Sequence, residues 1–195
     1  KPGPDLNTGE AQALVPVLED AAKIIQAHFD RSNFTVEMHQ CFLDLVVGGT
    51  AALYFEESEP GSFSAFKFTA VPLSDVLLEE GEAGFLDGSF RQLKLTLAQI
   101  TDRYPDAEIP MDVQREGERD AQARFTVLES ILPDGTAYNY AALLTERGQP
   151  VELSAGRFSS SPCIAFRWMK SPGELYGRSP VMKALPDIKT ANKVV

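Results

Sequence analysis

The residues able to do chemistry are few and poorly grouped. His28 and His39 are the only imidazoles. They fall on two predicted helices across a break, so a metal site would need carboxylates from elsewhere. The carboxylate pairs Glu56-Glu57 and Glu79-Glu80 have the residue types of an acid/base hydrolase, but adjacent carboxylates in polar turns are solvated and keep ordinary proton affinities. Gly177-Arg178-Ser179-Pro180-Val181 holds a serine after a glycine yet lacks the second glycine of a nucleophile elbow. The chain contains no phosphate-binding loop, no dinucleotide-binding glycine pattern and no H-E-x-x-H. Cys41 and Cys163 lie far apart and form no C-x-x-C, which fits buried thiols in a reducing compartment. Asn33-Phe34-Thr35 matches a glycosylation sequon, but without a secretory signal Asn33 is expected to cap a helix. No catalytic residue, cofactor site or metal site is assigned.

Charge narrows the classes further. Across 195 residues, 18 Lys and Arg stand against 28 Asp and Glu, a net charge of -10 and a pI near 4.7. A surface of that sign does not grip nucleic acid over its whole extent. The charge is unevenly distributed: residues 157–195 carry Arg157, Arg167, Lys170, Arg178, Lys183, Lys189 and Lys193 against Glu174 and Asp187, leaving +5 there and -15 before it. A basic end on an acidic body suits either a plain solvated helix face or a meeting with a neighbouring copy or a nucleic-acid backbone. The longest apolar run, Phe42 to Ala52, is interrupted by Asp44, Gly48 and Gly49 and falls well short of a membrane span. A first residue other than Met and a last residue inside a helical pattern lead us to expect a piece of a longer protein.

The elements that must position these residues follow from spacing. After an entry rich in Pro and Gly (1–9), Leu14, Leu18, Ala21 or Ala22, Ile25 and Phe29 recur at helical spacing. Asn7 with Glu10 has the spacing of a cap, and Pro16 is expected to kink the helix or reset its start. A second helix over 34–47 should turn Met38, Phe42, Leu45 and Val46 inward and stop at Gly48-Gly49. Strands are expected over 50–56, 66–70, 75–79 and around Phe90 to Leu97, with Thr96 and Gln99 as a capping box for a short helix ending before Pro105. The polar stretch 105–123 is expected to be a mobile or partly helical insertion. A meander then runs from Arg124, turning at Pro133-Asp134-Gly135 and at Arg147-Gly148-Gln149-Pro150, with strands at 151–154 and 163–168. Ser179-Pro180 opens a last helix whose stripe is Val181, Leu185, Ile188 and Val195 and which Pro186 should kink. The fold class expected is α+β, with N-terminal helices, antiparallel strands in the middle and a C-terminal helix.

One string is more specific than the rest. Phe166-Arg167-Trp168, Gly173 through Pro180 (with Tyr176, Gly177, Arg178 and Ser179), and Ala184-Leu185-Pro186 through Asn192 resemble the signature of the bacteriophage head-to-tail connecting proteins, the portal proteins of short-tailed phages. Arg31-Ser32-Asn33-Phe34, Gly49-Thr50-Ala51, Val71-Pro72-Leu73 and Leu95-Thr96 with Gln99 resemble the same family in the same order, so the resemblance covers about residues 14 to 195. Residues 105–123 match none of its features.

The resemblance implies a structural subunit without enzymatic activity, in a ring usually of twelve copies at one capsid vertex. Double-stranded DNA passes through such a ring without tight binding. Its implied partners are other copies of itself, capsid and scaffolding proteins, the packaging terminase, and tail or adaptor proteins, with no membrane and no cofactor. Its implied place is the virion, after synthesis in the bacterial cytoplasm, including from a prophage. Residues 1–123 would be wing-like and 124–195 would lead through the meander into the signature helix. In the motif, Gly177 is expected to allow a sharp turn, Ser179 and Pro180 to start the helix, Trp168 and Tyr176 to anchor packing. Arg167, Arg178, Lys183 and Lys189 are candidates for contact with DNA or a neighbouring subunit, with an intrachain ion pair as the alternative for the arginines. Two other readings remain at this point: an acidic α+β protein-interaction module and a carboxylate-dependent hydrolase.

Overall fold

A computed structural model describes residues 8–82, 84–146 and 150–194. In chain order the elements are α1 (Thr8–Arg31), α2 (Phe34–Gly48), β1 (Thr50–Glu57), β2 (Phe66–Val71), β3 (Val76–Glu80), β4 (Leu86–Leu95), α3 (Leu97–Arg103), α4 (Met111–Arg119), β5 (Phe125–Asp134), β6 (Ala137–Leu144), β7 (Val151–Phe158), β8 (Cys163–Arg167) and α5 (Pro180–Val194). The α+β class holds. The expected Asn7 cap, the turn at 147–149 and Val195 lie outside the described residues.

Strand β1 explains the layering. Its side chains alternate, so Ala51 and Leu53 meet Cys41 and Leu45 of α2 together with Phe68, while Ala52 and Tyr54 pack with Val76, Leu78 and Ile131 of the other sheet. One sheet therefore has the order β2-β1-β8, covered by α2 on one face. The second has the order β3-β4-β5-β6-β7, antiparallel throughout. Along β5 the inward residues divide: Phe125 and Val127 sit under Ile100, Tyr104 and Val113 of α3 and α4, and Ile131 faces the first sheet. Strands from both sides of residue 124 share each sheet, since β4 pairs with β5 and β8 with β1.

Several local expectations change. Strand β8 leaves the expected meander to pair with β1, because Cys163 completes the core between the sheets. The stretch 105–123 is not a loose insertion: it contains α4, whose Val113 is buried and whose Gly117 lies so close to Leu97 that an added Cβ would sit 2.5 Å from the Leu97 Cβ. Phe42 and Val46 of α2 are exposed, and Cys41 takes the inward position. Helix α1 continues through Pro16 and α5 through Pro186. The Asn33 side chain caps nothing on α2. It pairs instead with the edge of β2, donating from Nδ2 to the Phe68 carbonyl at 2.7 Å and accepting the Phe68 N–H at 2.9 Å. Glu37 accepts the next outward N–H, that of Ala70, at 2.7 Å. Two side chains thereby satisfy an otherwise open strand edge. The Thr96–Gln99 capping box forms with both of its hydrogen bonds.

Candidate functional site

The segment 166–180 is held by the end of α2. Gly49 stops that helix in the left-handed region at φ 78°, its N–H donating to the Leu45 carbonyl. Its own carbonyl accepts the Trp168 N–H at 2.9 Å. The next residue, Thr50, is fully buried and its Oγ1 accepts the Gly177 N–H at 2.8 Å. The two glycines touch through their backbones. A Cβ on Gly49 would lie 2.2 Å from the Gly177 carbonyl oxygen, and one on Gly177 would lie 2.1 Å from the Gly49 oxygen. Neither position admits any side chain, so residues 128 apart in sequence are fixed against one another.

From that contact the rest of the segment is laid out. The Arg178 N–H donates to the Met169 carbonyl at 2.8 Å, closing the loop between β8 and α5. Ser179 is fully buried and its Oγ accepts the Met182 N–H at 2.9 Å, capping α5. Pro180 then occupies the first helical position. Tyr176 packs against the core between the sheets, and its hydroxyl accepts the Leu78 N–H at 3.4 Å. The Trp168 ring is half exposed, so that residue anchors through its backbone and not through its indole.

The expected contact residues separate. Arg167 is largely buried and, with Lys170, binds Glu80 of β3. Those two cations, Lys170 first and then Arg167, hold the Glu80 carboxyl below its usual range against a weaker opposing effect of burial. Arg178 forms a two-point pair with Glu174, at 2.9 and 2.6 Å, on the surface. Lys183 and Lys189 stand exposed on α5 beside Leu185 and Pro186. Among the described residues Lys183 donates to the Met169 sulfur, at 3.8 Å, and to no carboxylate.

A second polar group was not anticipated. Glu129 points inward on β5 between Val127 and Ile131, almost wholly buried where the two core regions meet. Its Oε1 accepts from the Tyr104 hydroxyl at 2.8 Å, the Tyr140 hydroxyl at 3.1 Å, and Arg103 at 2.9 and 3.2 Å. Arg91, stacked over the Tyr54 ring, stands 3.8 Å from Oε2. Arg103 also reaches Glu56 of β1 at 3.3 Å. Burial and the Glu129 charge raise both tyrosine hydroxyls. Burial works most strongly against the Arg103 cation, and Glu129, Tyr104 and Glu56 together more than offset it. The group ties α3, β1 and the second sheet together. The signal was present in the alternation of Phe125, Val127, Glu129 and Ile131, which puts the carboxylate on the core face.

Elsewhere the described residues hold no group of three or more His, Cys, Asp or Glu arranged for a metal, and no helix long and apolar enough to cross a membrane. The His28 Nδ1 accepts the Ala65 N–H at 3.1 Å. Burial pushes the Cys41 thiol up to about 11 and raises that of Cys163.

The site that emerges is a rigid joint, which presents α5 from the end of α2. Residues 4–195 match the family described as bacteriophage head to tail connecting protein. The chain belongs to this family. It is 24% identical over 176 residues to the portal protein of Escherichia phage T7, an overlap covering 86% of this chain. That overlap spans 31% of the length of the T7 protein, so the chain corresponds to about a third of its curated relative. Within this chain, Trp168 and Gly177 seat on Gly49 and Thr50, and Ser179 caps α5.

Proposed function

We propose that the protein is a structural subunit of a phage portal, a ring at the capsid vertex through which double-stranded DNA is packaged and ejected. The family match across nearly the whole chain carries this reading. The ring, its copy number of about twelve and its partners among capsid, scaffolding, terminase and tail proteins belong to the proposal. So do its place in the virion and the absence of catalysis. Charge supports a conduit over a clamp. Each phosphate neutralised by Lys or Arg adds salt-dependent affinity, and these 195 residues, at a net charge of -10, avoid that over most of their surface. Arg167 and Arg178 already have carboxylate partners. Lys183 and Lys189 are thus the members of the expected contact set that remain available to DNA or to a neighbouring subunit. Electron microscopy of the full-length parent tests the reading: rings with a central hole are expected, and a uniform population of compact single particles would overturn it.

A further inference from the structure

Helix α1 is the least accounted-for element. Residues 14–26 are exposed throughout. The helix joins the fold near its C-terminal end, where Phe29 packs edge-on to Phe34 and Phe66 and stacks with Phe68. Yet its uncovered length carries Leu14, Val15, Val17, Leu18, Ile24 and Ile25. Packing of an apolar face supplies most of a helix's stability in proteins, so a helix with this much bare apolar surface calls for a cover.

Helix α5 is bare in the same way. Past its Ser179 cap and its packing on α2, it exposes Met182, Leu185 and Ile188. The two helices carry opposite charge. Helix α1 has Glu10, Glu19, Asp20 and Asp30 against Lys23 and Arg31, whereas α5 has Lys183, Lys189 and Lys193 against Asp187. On α1, Lys23 is held by Asp20 at 3.1 Å and Asp30 by Gln26 at 2.9 Å, leaving Glu19 without an ion-pair partner among the described residues. Lys189 and Lys193 are equally unpaired there.

We infer that the apolar stripe of α1 in one copy docks along α5 of the neighbouring copy, with acidic residues of α1 and lysines of α5 at the rim of the contact. The inference rests on the ring-subunit reading. A contact between two different surfaces of identical chains is heterologous, and it closes into a ring when its rotation permits. Unlike charge on the two surfaces sets its direction and disfavours α1 meeting α1.

The test uses the full-length parent, co-expressed as two differently tagged versions, one with Leu18→Cys and one with Leu185→Cys. Mild oxidation of the assembled species is expected to give a disulfide-linked pair carrying both tags, because facing Cβ atoms come within bonding reach only across such a contact. Neither variant alone should yield that pair, since Cys41 and Cys163 are buried. Rings that form normally but give no mixed pair would overturn the docking while leaving the ring reading intact. Absence of any ring from the unmodified parent would instead remove both. A charge swap gives an independent readout. Glu19→Lys or Lys189→Glu alone should reduce ring yield and the two together should restore it; loss without restoration would contradict the pairing.

Discussion

At the scale of single residues, the decisive feature is the contact between Gly49 and Gly177. A methyl group at either position meets a backbone oxygen that has nowhere to move. We expect Gly177→Ala to lower unfolding free energy by about 2 kcal/mol, as overpacking of a tight core does. Gly49→Ala should cost more, because it adds a left-handed backbone worth a further ~1 kcal/mol. Urea titration of both variants against a surface control such as Gly156→Ala, where an added Cβ meets nothing, checks this; equal midpoints for all three would contradict the account. Glu129 makes a second case. Replacing it by Gln leaves Arg91 and Arg103 facing an uncharged group in the interior, a change that costs about 3 kcal/mol or more when a buried pair is broken. Chemical denaturation would show it as a large shift in midpoint. The thiols give a third: with Cys41 raised to about 11 and Cys163 also raised by burial, neither should alkylate at neutral pH until the chain unfolds.

At the scale of elements, the anchoring of β8 and α5 to the first half of the chain has a pH signature. The Glu80 carboxyl is lowered in the folded protein by Lys170 and Arg167. A group lowered on folding contributes stability that is present above the ordinary carboxylate range and lost as pH falls through its folded value. Thermal melts of Glu80→Gln should therefore differ most from the parent chain near neutral pH and converge with it in acid; a constant difference would exclude the charge as the cause. What could be read from the sequence divides along the same physical line. Features written in local spacing were legible: the box at Thr96 and Gln99, the stop at Gly49, the cap at Ser179 and the turn at Gly135, which takes a φ of 63°. Features set by partners remote in sequence were not. Strand β8 leaves the meander because β1 offers it an edge, Asn33 abandons its helix for Phe68, and α4 becomes core because Gly117 fits against Leu97. Of the candidate site, the segment itself stood out by its residue string, while its seat on Gly49 and Thr50 required the fold. The contact that Trp168 makes with Gly49 runs through its backbone, and its ring is half exposed, which residue type alone does not reveal.

At the scale of the whole molecule, the chain carries two helices with exposed apolar residues, the acidic α1 and the basic α5, and α5 is seated on the end of α2. That arrangement suits one unit of the repeating assembly proposed above, and the match shows that the chain belongs to the head-to-tail connecting family. Salt should matter to it in a directed way. Contacts between α1 and α5 are charged at their rims and apolar between, so raising ionic strength should slow association without dissolving formed rings. The most direct measurement is the mass in solution of the full-length parent, by light scattering after size exclusion, across protein concentration and salt. The account predicts a single large species of about twelve subunits, in the manner of a closed cyclic assembly. A monomer or dimer that persists at high concentration and at every salt would contradict it.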